Sequence, residues 1–121
     1  MATEPAAEPA AQLAIHDYGL IADGLTCALI GRDGSLGWLC APRFDSGSLF
    51  ATLLDPDRAG VCRWAPSGAA AGAGKQQYIE NTNVLVTDLA GVRITDWMPA
   101  RFEGGAAAAG FGGGAVCRLA E

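Results

Sequence analysis

The stretch LTCALIGRDGSLGWLC, residues 25–40, decides the fold class because it holds two short apolar runs on either side of a turn signal. Residues 25–30 form the first run and residues 36–40 form the second. Between them, Asp33-Gly34 is typical of a type I′ turn, in which both central residues take φ > 0. The stretch therefore predicts a β-hairpin.

The same pattern of short runs and turns recurs along the chain. Residues 84–88 and 92–97 predict a second hairpin around a tight turn at residues 89–91, and Pro99 ends its second strand because proline donates no ladder hydrogen bond. Residues 61–66 and 115–119 predict two further strands. The repeated pattern predicts a mainly β protein, an antiparallel β-sandwich (part of a supersandwich) with Gly/Ala-rich loops.

One short helix is expected over residues 48–54. Ser48 can cap its N-terminus, apolar residues recur four positions apart, and Asp55-Pro56 ends it. The glycine-rich tracts at residues 67–74 and 104–114 predict loops, since glycine disfavours a helix interior.

The first 14 residues predict a disordered acidic leader, and residues 15–121 predict one domain. The leader contains two glutamates and two prolines, without the basic start and apolar stretch of a secretory signal. No apolar run reaches the roughly 20 residues that span a bilayer. We therefore expect a cytoplasmic protein with no membrane association.

Charge and cysteine spacing bound the function further. The 121 residues carry 8 Lys+Arg against 13 Asp+Glu, a balance that argues against nucleic acid and anionic membranes as partners. Four irregularly spaced cysteines form no CxxC pattern, and His16 is the only histidine. We expect reduced thiols, an exposed His16, no cofactor and no metal, although a site of four cysteines stays open.

No catalytic residue is predicted in the chain. The aspartates lie at turns or strand ends, and no pair of carboxylates stands out for acid/base hydrolysis. The richest candidate site is the run from Trp38 to Ser46, where Trp38, Arg43, Phe44 and Asp45 combine an aromatic ring, a cation and a carboxylate suited to a sugar. The structural alternative is an Arg43–Asp45 pair that pins the loop, with Phe44 in the core.

An ordered series of short motifs carries a family resemblance. The series covers about residues 15–121, with both Gly/Ala tracts as insertions. Its members are Asp17–Gly24, Thr26, Ala28–Ser35, Trp38–Cys40, Pro42–Ser46, Tyr78, Thr82–Leu85, Val92–Asp96 and Met98-Pro99. This series resembles the opening of bacterial glycoside hydrolase family 15 proteins, the trehalase-like and glucoamylase-like enzymes.

The resemblance implies a β-sandwich that precedes an (α/α)6 barrel. It implies that the catalytic glutamates of an inverting α-glucosidase lie in that barrel, beyond residue 121, so that this chain is a non-catalytic N-terminal domain, truncated or stand-alone. The barrel, in cis or in trans, is the expected partner, with trehalose or maltose as the α-glucoside. Gly37, Gly47 and the long tract at residues 104–114 depart from the family pattern and put a full role of the Arg43–Asp45 loop in doubt.

Two other functions compete with this interpretation. The chain could be a stand-alone binding module that uses Trp38, Phe44 and Trp64 as a sugar or protein platform, which an exposed aromatic cluster would favour. It could also be a non-functional remnant of a longer gene, which failure to fold alone would indicate.

Overall fold

The computed structural model describes residues 13–69, 74–101 and 114–121. The predicted leader, apart from its last two residues, lies outside the described residues, as do residues 70–73 of the first Gly/Ala tract and residues 104–113 of the second. A short 3-10 helix at Ile15–Asp17 precedes the strands. The strands are β1 Tyr18–Ala22, β2 Cys27–Gly31, β3 Leu36–Cys40, β4 Ser48–Phe50, β5 Lys75–Tyr78, β6 Leu85–Leu89, β7 Val92–Trp97 and β8 Cys117–Ala120.

The strands form two antiparallel sheets of four. Strands β1 to β4 follow one another in the first sheet, and strands β5 to β8 follow one another in the second. Apolar residues of both sheets share one core, which consists of Ile21, Ala28, Ile30, Leu36, Leu39, Leu85 and Met98. The predicted mainly β, antiparallel sandwich is therefore confirmed.

The first hairpin is confirmed, but its predicted type I′ turn is wrong. Gly34 has φ 85°, whereas Asp33 is absent from the described residues that have positive φ. Gly31 N–H donates to the Ser35 carbonyl (2.8 Å) and Gly34 N–H donates to the Gly31 carbonyl (2.9 Å), which is the pattern of a three-residue loop with a glycine bulge. The Asp33 carboxylate accepts the Ser35 N–H at 3.0 Å, and this local bond favours the longer loop.

The second hairpin is confirmed, and both central residues of its turn have positive φ, as in a type I′ turn. Leu89 pairs with Val92 across a two-residue loop, in which Ala90 has φ 50° and Gly91 has φ 86°. Positive φ at both central residues matches the right-handed twist of the strands. Ala90 adopts this conformation against its own steric preference.

The predicted helix over residues 48–54 is wrong. Its first three residues form β4, in which Phe50 pairs with Leu39 of β3 and packs against the core. The residues that follow form turns and no helix: the N–H groups of Leu54 (2.9 Å) and Asp55 (3.1 Å) both donate to the Ala51 carbonyl. Pairing with the open edge of β3 outweighs the weak helical preference of so short a segment.

The two further predicted strands have different outcomes. The predicted strand at residues 115–119 is present as β8, shifted toward the C-terminus. The predicted strand at residues 61–66 is reduced to a single bridge between Arg63 and Ser35. The residues on either side of Arg63 also bond to the first hairpin: Leu36 N–H donates to the Cys62 carbonyl (2.8 Å), and Trp64 N–H donates to the Gly34 carbonyl (3.1 Å).

Candidate functional site

The candidate site is the loop of residues 41–46, which leaves β3 and crosses the turn between β1 and β2. Phe44 N–H donates to the Leu25 carbonyl at 3.0 Å, which ties the loop to that turn. Within the loop, Arg43 N–H donates to the Ser46 hydroxyl at 3.1 Å, and Ser46 N–H donates back to the Arg43 carbonyl at 3.0 Å. The backbone of the loop is therefore held at both ends of its tip.

The predicted side chains of the loop point outward. Phe44 is 68% exposed, so the structural alternative that placed it in the core is wrong. Arg43 Nε lies 3.5 Å from Asp45 Oδ1, with the two side chains 50% and 65% exposed. An ion pair this exposed contributes at most about 1 kcal/mol, so the sequence alternative of an Arg43–Asp45 pin adds little stability.

Trp38 lies in the sheet and not in the loop. It pairs with Leu29 on β2 and is half-buried. Trp64 bonds the turn between β2 and β3, whereas Phe44 bonds the turn between β1 and β2, so strand β2 separates the two rings along its length. The structure does not bring Trp38, Phe44 and Trp64 together as one platform.

A buried ion pair contacts the start of the candidate loop. Arg101 Nε lies 2.6 Å from Asp23 Oδ2, with side chains 9% and 0% exposed. The guanidinium also donates to the Pro42 carbonyl, and the Arg101 N–H donates to the Asp23 carbonyl at 2.8 Å. Arg101 therefore joins the β1–β2 turn to the start of the candidate loop.

The electrostatics of Asp23 match this role. Burial pushes the pKa of its carboxyl up, but the Arg101 guanidinium and the N–H groups of Leu25 (2.8 Å) and Thr26 (2.9 Å) outweigh burial and hold the pKa below its ordinary value. Asp23 is thus a carboxylate with its acceptors engaged. Its task here is to position the backbone, because an engaged carboxylate is a poor proton donor or base.

Sequence reasoning missed Arg101 as a positioning residue. It lies 78 positions from Asp23, next to a low-complexity tract, and no local pattern links the two residues.

A second buried ion pair links the other end of the sandwich. Arg118 Nε lies 2.6 Å from Asp96 Oδ1, and Arg118 Nη2 donates to the Gly34 carbonyl at 2.9 Å. The Trp64 ring covers the guanidinium, with its centroid 5.3 Å from Cζ. Burial raises the pKa of Asp96 despite the opposing hydrogen bond and charge of Arg118.

Tyr78 joins the two sheets at an edge. Its hydroxyl donates to the Leu20 carbonyl at 2.7 Å and accepts the Leu20 N–H at 2.9 Å. It therefore satisfies both backbone groups that Leu20 presents at the outer edge of β1, where an unpaired strand would otherwise be open to association. Gln76 makes a parallel link from β5 to the Ile30 carbonyl, at 2.9 Å.

The remaining candidates carry no site within the described residues. His16 is exposed, as predicted, and lies 3.6 Å from Asp17. All four cysteines are free thiols; Cys40 is buried and the other three are partly buried. In residues 13–69, 74–101 and 114–121, no three potential ligands are grouped to hold a metal ion. Nor does the described part contain a helix of the length and apolarity that a membrane crossing needs.

The fold and the anchored loop define a β-sandwich module, and comparison with known proteins gives its family. The family described as "Trehalase-like, N-terminal" matches residues 8–108. The chain belongs to this family of trehalase-like N-terminal domains. This match confirms the family resemblance in its trehalase-like form.

Curated relatives of the chain are trehalases. The chain is 34% identical over 90 residues to a trehalase of Thermoplasma volcanium, covering 70% of this chain and 14% of the relative. It is 41% identical over 73 residues to a trehalase of Mycolicibacterium smegmatis, covering 60% of this chain and 11% of the relative. The chain thus spans less than a sixth of the length of these relatives. No solved structure matches the chain.

Proposed function

We propose that this chain is the non-catalytic N-terminal part of a trehalase-type α-glucosidase of glycoside hydrolase family 15. The family match over residues 8–108, together with the small share of each trehalase that the chain covers, carries the proposal. The module packs on a catalytic (α/α)6 barrel in the same polypeptide or in a separate chain. Trehalose is the proposed substrate of the assembled enzyme, and maltose, the glucoamylase-type substrate, is the alternative.

The carboxylates of the described residues support a non-catalytic role. Inverting hydrolysis needs one protonated carboxyl and one free carboxylate about 6.5–9.5 Å apart on either side of the glycosidic bond. Among the described carboxylates, three are buried in ion pairs: Asp23 and Asp96 each lie 2.6 Å from an arginine, and Asp33 lies 3.8 Å from Arg63 and accepts the Ser35 N–H. Groups held in this way stabilise the fold and leave acid/base chemistry to the barrel.

The loop of residues 41–46 is the part of the module that we place beside the substrate. A guanidinium and a carboxylate can bind sugar hydroxyls, and an exposed aromatic ring can pack against the C–H face of a pyranose. Arg43, Asp45 and Phe44 offer these three groups on an anchored backbone, and Trp38 supports the strand from which the loop leaves. We place the enzyme in the cytoplasm, because four unpaired cysteines suit a reducing compartment.

A hybrid enzyme tests the proposed function. In the hybrid trehalase, this chain replaces the matching segment of the Mycolicibacterium smegmatis trehalase, and glucose release from trehalose and from maltose is measured. We expect activity on trehalose that a version without any N-terminal segment lacks. A folded hybrid that is no more active than the shortened enzyme would contradict the proposal.

The Arg43→Ala variant of the hybrid trehalase tests the loop separately. Because the Arg43 side chain is half exposed, its loss should change stability little, while kcat/KM for trehalose should fall at least tenfold. Arg58→Ala, another arginine change in an exposed turn, is the control and should leave kcat/KM within twofold. Equal kinetics in the two variants would reduce the loop to scaffold.

A further inference from the structure

The two sheets differ in the chemistry of their outward faces. Side chains alternate between the two faces of a strand, so the row Ile21–Ala28–Leu39 lies inside the sandwich and the adjacent row Leu20–Leu29–Trp38 lies outside. On β1, β2 and β3, the residues of this outward face are all uncharged: Tyr18, Leu20, Ala22, Cys27, Leu29, Gly31, Trp38 and Cys40. We name this set the apolar face.

The second sheet has an outward face of ordinary solvent-exposed type. Lys75, Asp88 and Arg93 are paired across β5, β6 and β7, and all three are exposed. Arg93 Nε lies 3.0 Å from Asp88 Oδ1 in this charged row. A protein with net charge −5 therefore has charges on one outer sheet surface and none among the strand residues of the other.

The apolar face is partly exposed to solvent although none of its residues is charged. Leu20 is 47% exposed, and Leu29 and Trp38 are partly buried, whereas Gly31 and Cys40 are buried. A neighbouring aliphatic residue on β4, Leu49, is 59% exposed. Strands that are apolar on both sides, such as β2 and β3, are typical of sheets covered on both faces. Apolar residues that reach solvent side by side, as Leu20, Leu29 and Trp38 do, are typical of an interface.

We propose that the apolar face is the surface on which the module docks against the polypeptide that follows it in a trehalase-type protein. This inference rests on the proposed function and adds the docking surface to it. The occupant is argued from chain length: the module covers 11–14% of the trehalases it matches, so a much larger body of protein accompanies such a domain in its relatives. The docking partner presents an apolar surface, since no charge on the strands of this face would complement a polar one.

A matched pair of substitutions separates this surface from general effects on the fold. Leu20 on β1 and Leu119 on β8 are 47% and 48% exposed, and each lies on an edge strand, one on each sheet. Leu119 pairs with Thr95 in a row outside the core, on the face that carries the charged row. Leu20→Glu and Leu119→Glu therefore make the same chemical change at equal exposure on the two outer faces.

The variants are tested in the hybrid trehalase and in the isolated 121-residue chain. In the hybrid, we expect Leu20→Glu to lower the rate of glucose release from trehalose at least tenfold and to make the link between the module and the rest of the enzyme sensitive to protease. Leu119→Glu should keep a rate within twofold of that of the unsubstituted hybrid. In the isolated chain, the two variants should have the same Tm, which shows that Leu20→Glu acts on docking.

The other outcomes each overturn one statement. If the unsubstituted hybrid folds but is inactive, the proposed function fails. If the hybrid is active and both glutamate variants behave alike, the docking surface is wrong although the proposed function stands. If the isolated chain is a dimer by sedimentation and only Leu20→Glu makes it monomeric, with hybrid activity unchanged, then the face binds a second copy and the proposal is again wrong.

Discussion

Replacing Arg101 with methionine keeps an apolar stem but removes the guanidinium that binds Asp23 and the Pro42 carbonyl. The pair it breaks is short, with Arg101 Nε 2.6 Å from Asp23 Oδ2, and Asp23 is fully buried. Breaking a buried pair costs about 3–5 kcal/mol because a charge is left without its partner. Asp23 keeps two backbone N–H donors, so we expect a loss of about 3 kcal/mol in the free energy of unfolding. For a domain of this size, that corresponds to a Tm lower by roughly 10 °C or more.

The pH dependence of this loss identifies its cause. In the unsubstituted protein the pKa of Asp23 lies below its ordinary value, so its contribution to stability is full above that ordinary value and is lost as pH falls through the lowered pKa. In Arg101→Met the guanidinium no longer opposes burial, so the pKa of Asp23 rises and protonation relieves the unpaired charge. The stability gap between the two proteins should therefore be largest near pH 7 and should narrow toward pH 3.

Urea unfolding followed by tryptophan fluorescence at pH 3, 5 and 7 measures the gap. Arg93→Met is the matched control, because its partner Asp88 lies at 3.0 Å but both side chains are about half exposed. The control should lose much less stability, because solvent screens an exposed ion pair. The Arg101–Asp23 pair is not an important source of stability if Arg101→Met loses no more free energy of unfolding than the control. The same conclusion follows if the loss is equal at pH 3 and pH 7.

Three further changes test other parts of the structure. Tyr78→Phe leaves both backbone groups of Leu20 without their hydroxyl partner, and it should lower the free energy of unfolding in urea by about 1 kcal/mol. The control is Tyr18→Phe, which should cost less because the Tyr18 hydroxyl makes no hydrogen bond within the described residues. Equal losses in the two variants would argue against the link between the sheets. Ala90→Asn suits the positive φ of that turn and should raise Tm by a few degrees, with a drop in Tm as the contrary result. Arg118→Met should cost about 3–5 kcal/mol, since it leaves Asp96 buried and unpaired, and a loss below about 1 kcal/mol would show that the pair is dispensable.

The fold class was predictable because short apolar runs and turn residues act locally. Residues 25–40 and 84–97 carry both strands and turns of their hairpins, and both hairpins are confirmed. Local patterns failed where a distant partner decides the conformation. Ser48 could cap a helix, but β3 offers its edge to residues 48–50, and strand pairing prevails.

The residues of the candidate loop were predictable from the sequence, but the buried contacts that hold the loop were not. The sequence placed Arg43, Phe44 and Asp45 in one loop, because a proline starts it and a strand precedes it. It could not show that Phe44 is exposed, since exposure depends on what packs beneath the loop. Nor could it pair Asp23 with Arg101, because a contact between residues 78 positions apart leaves no trace in local composition.

We propose that this chain is the front of a longer trehalase-type enzyme. The most direct test is the intact mass of the native protein, captured from its source cells with an antibody to residues 74–101, together with glucose release from trehalose by the captured material. We expect a mass several times the 12.3 kDa of this chain and hydrolysis of trehalose. A native mass of 12.3 kDa, with no trehalose hydrolysis in the captured material, would contradict it.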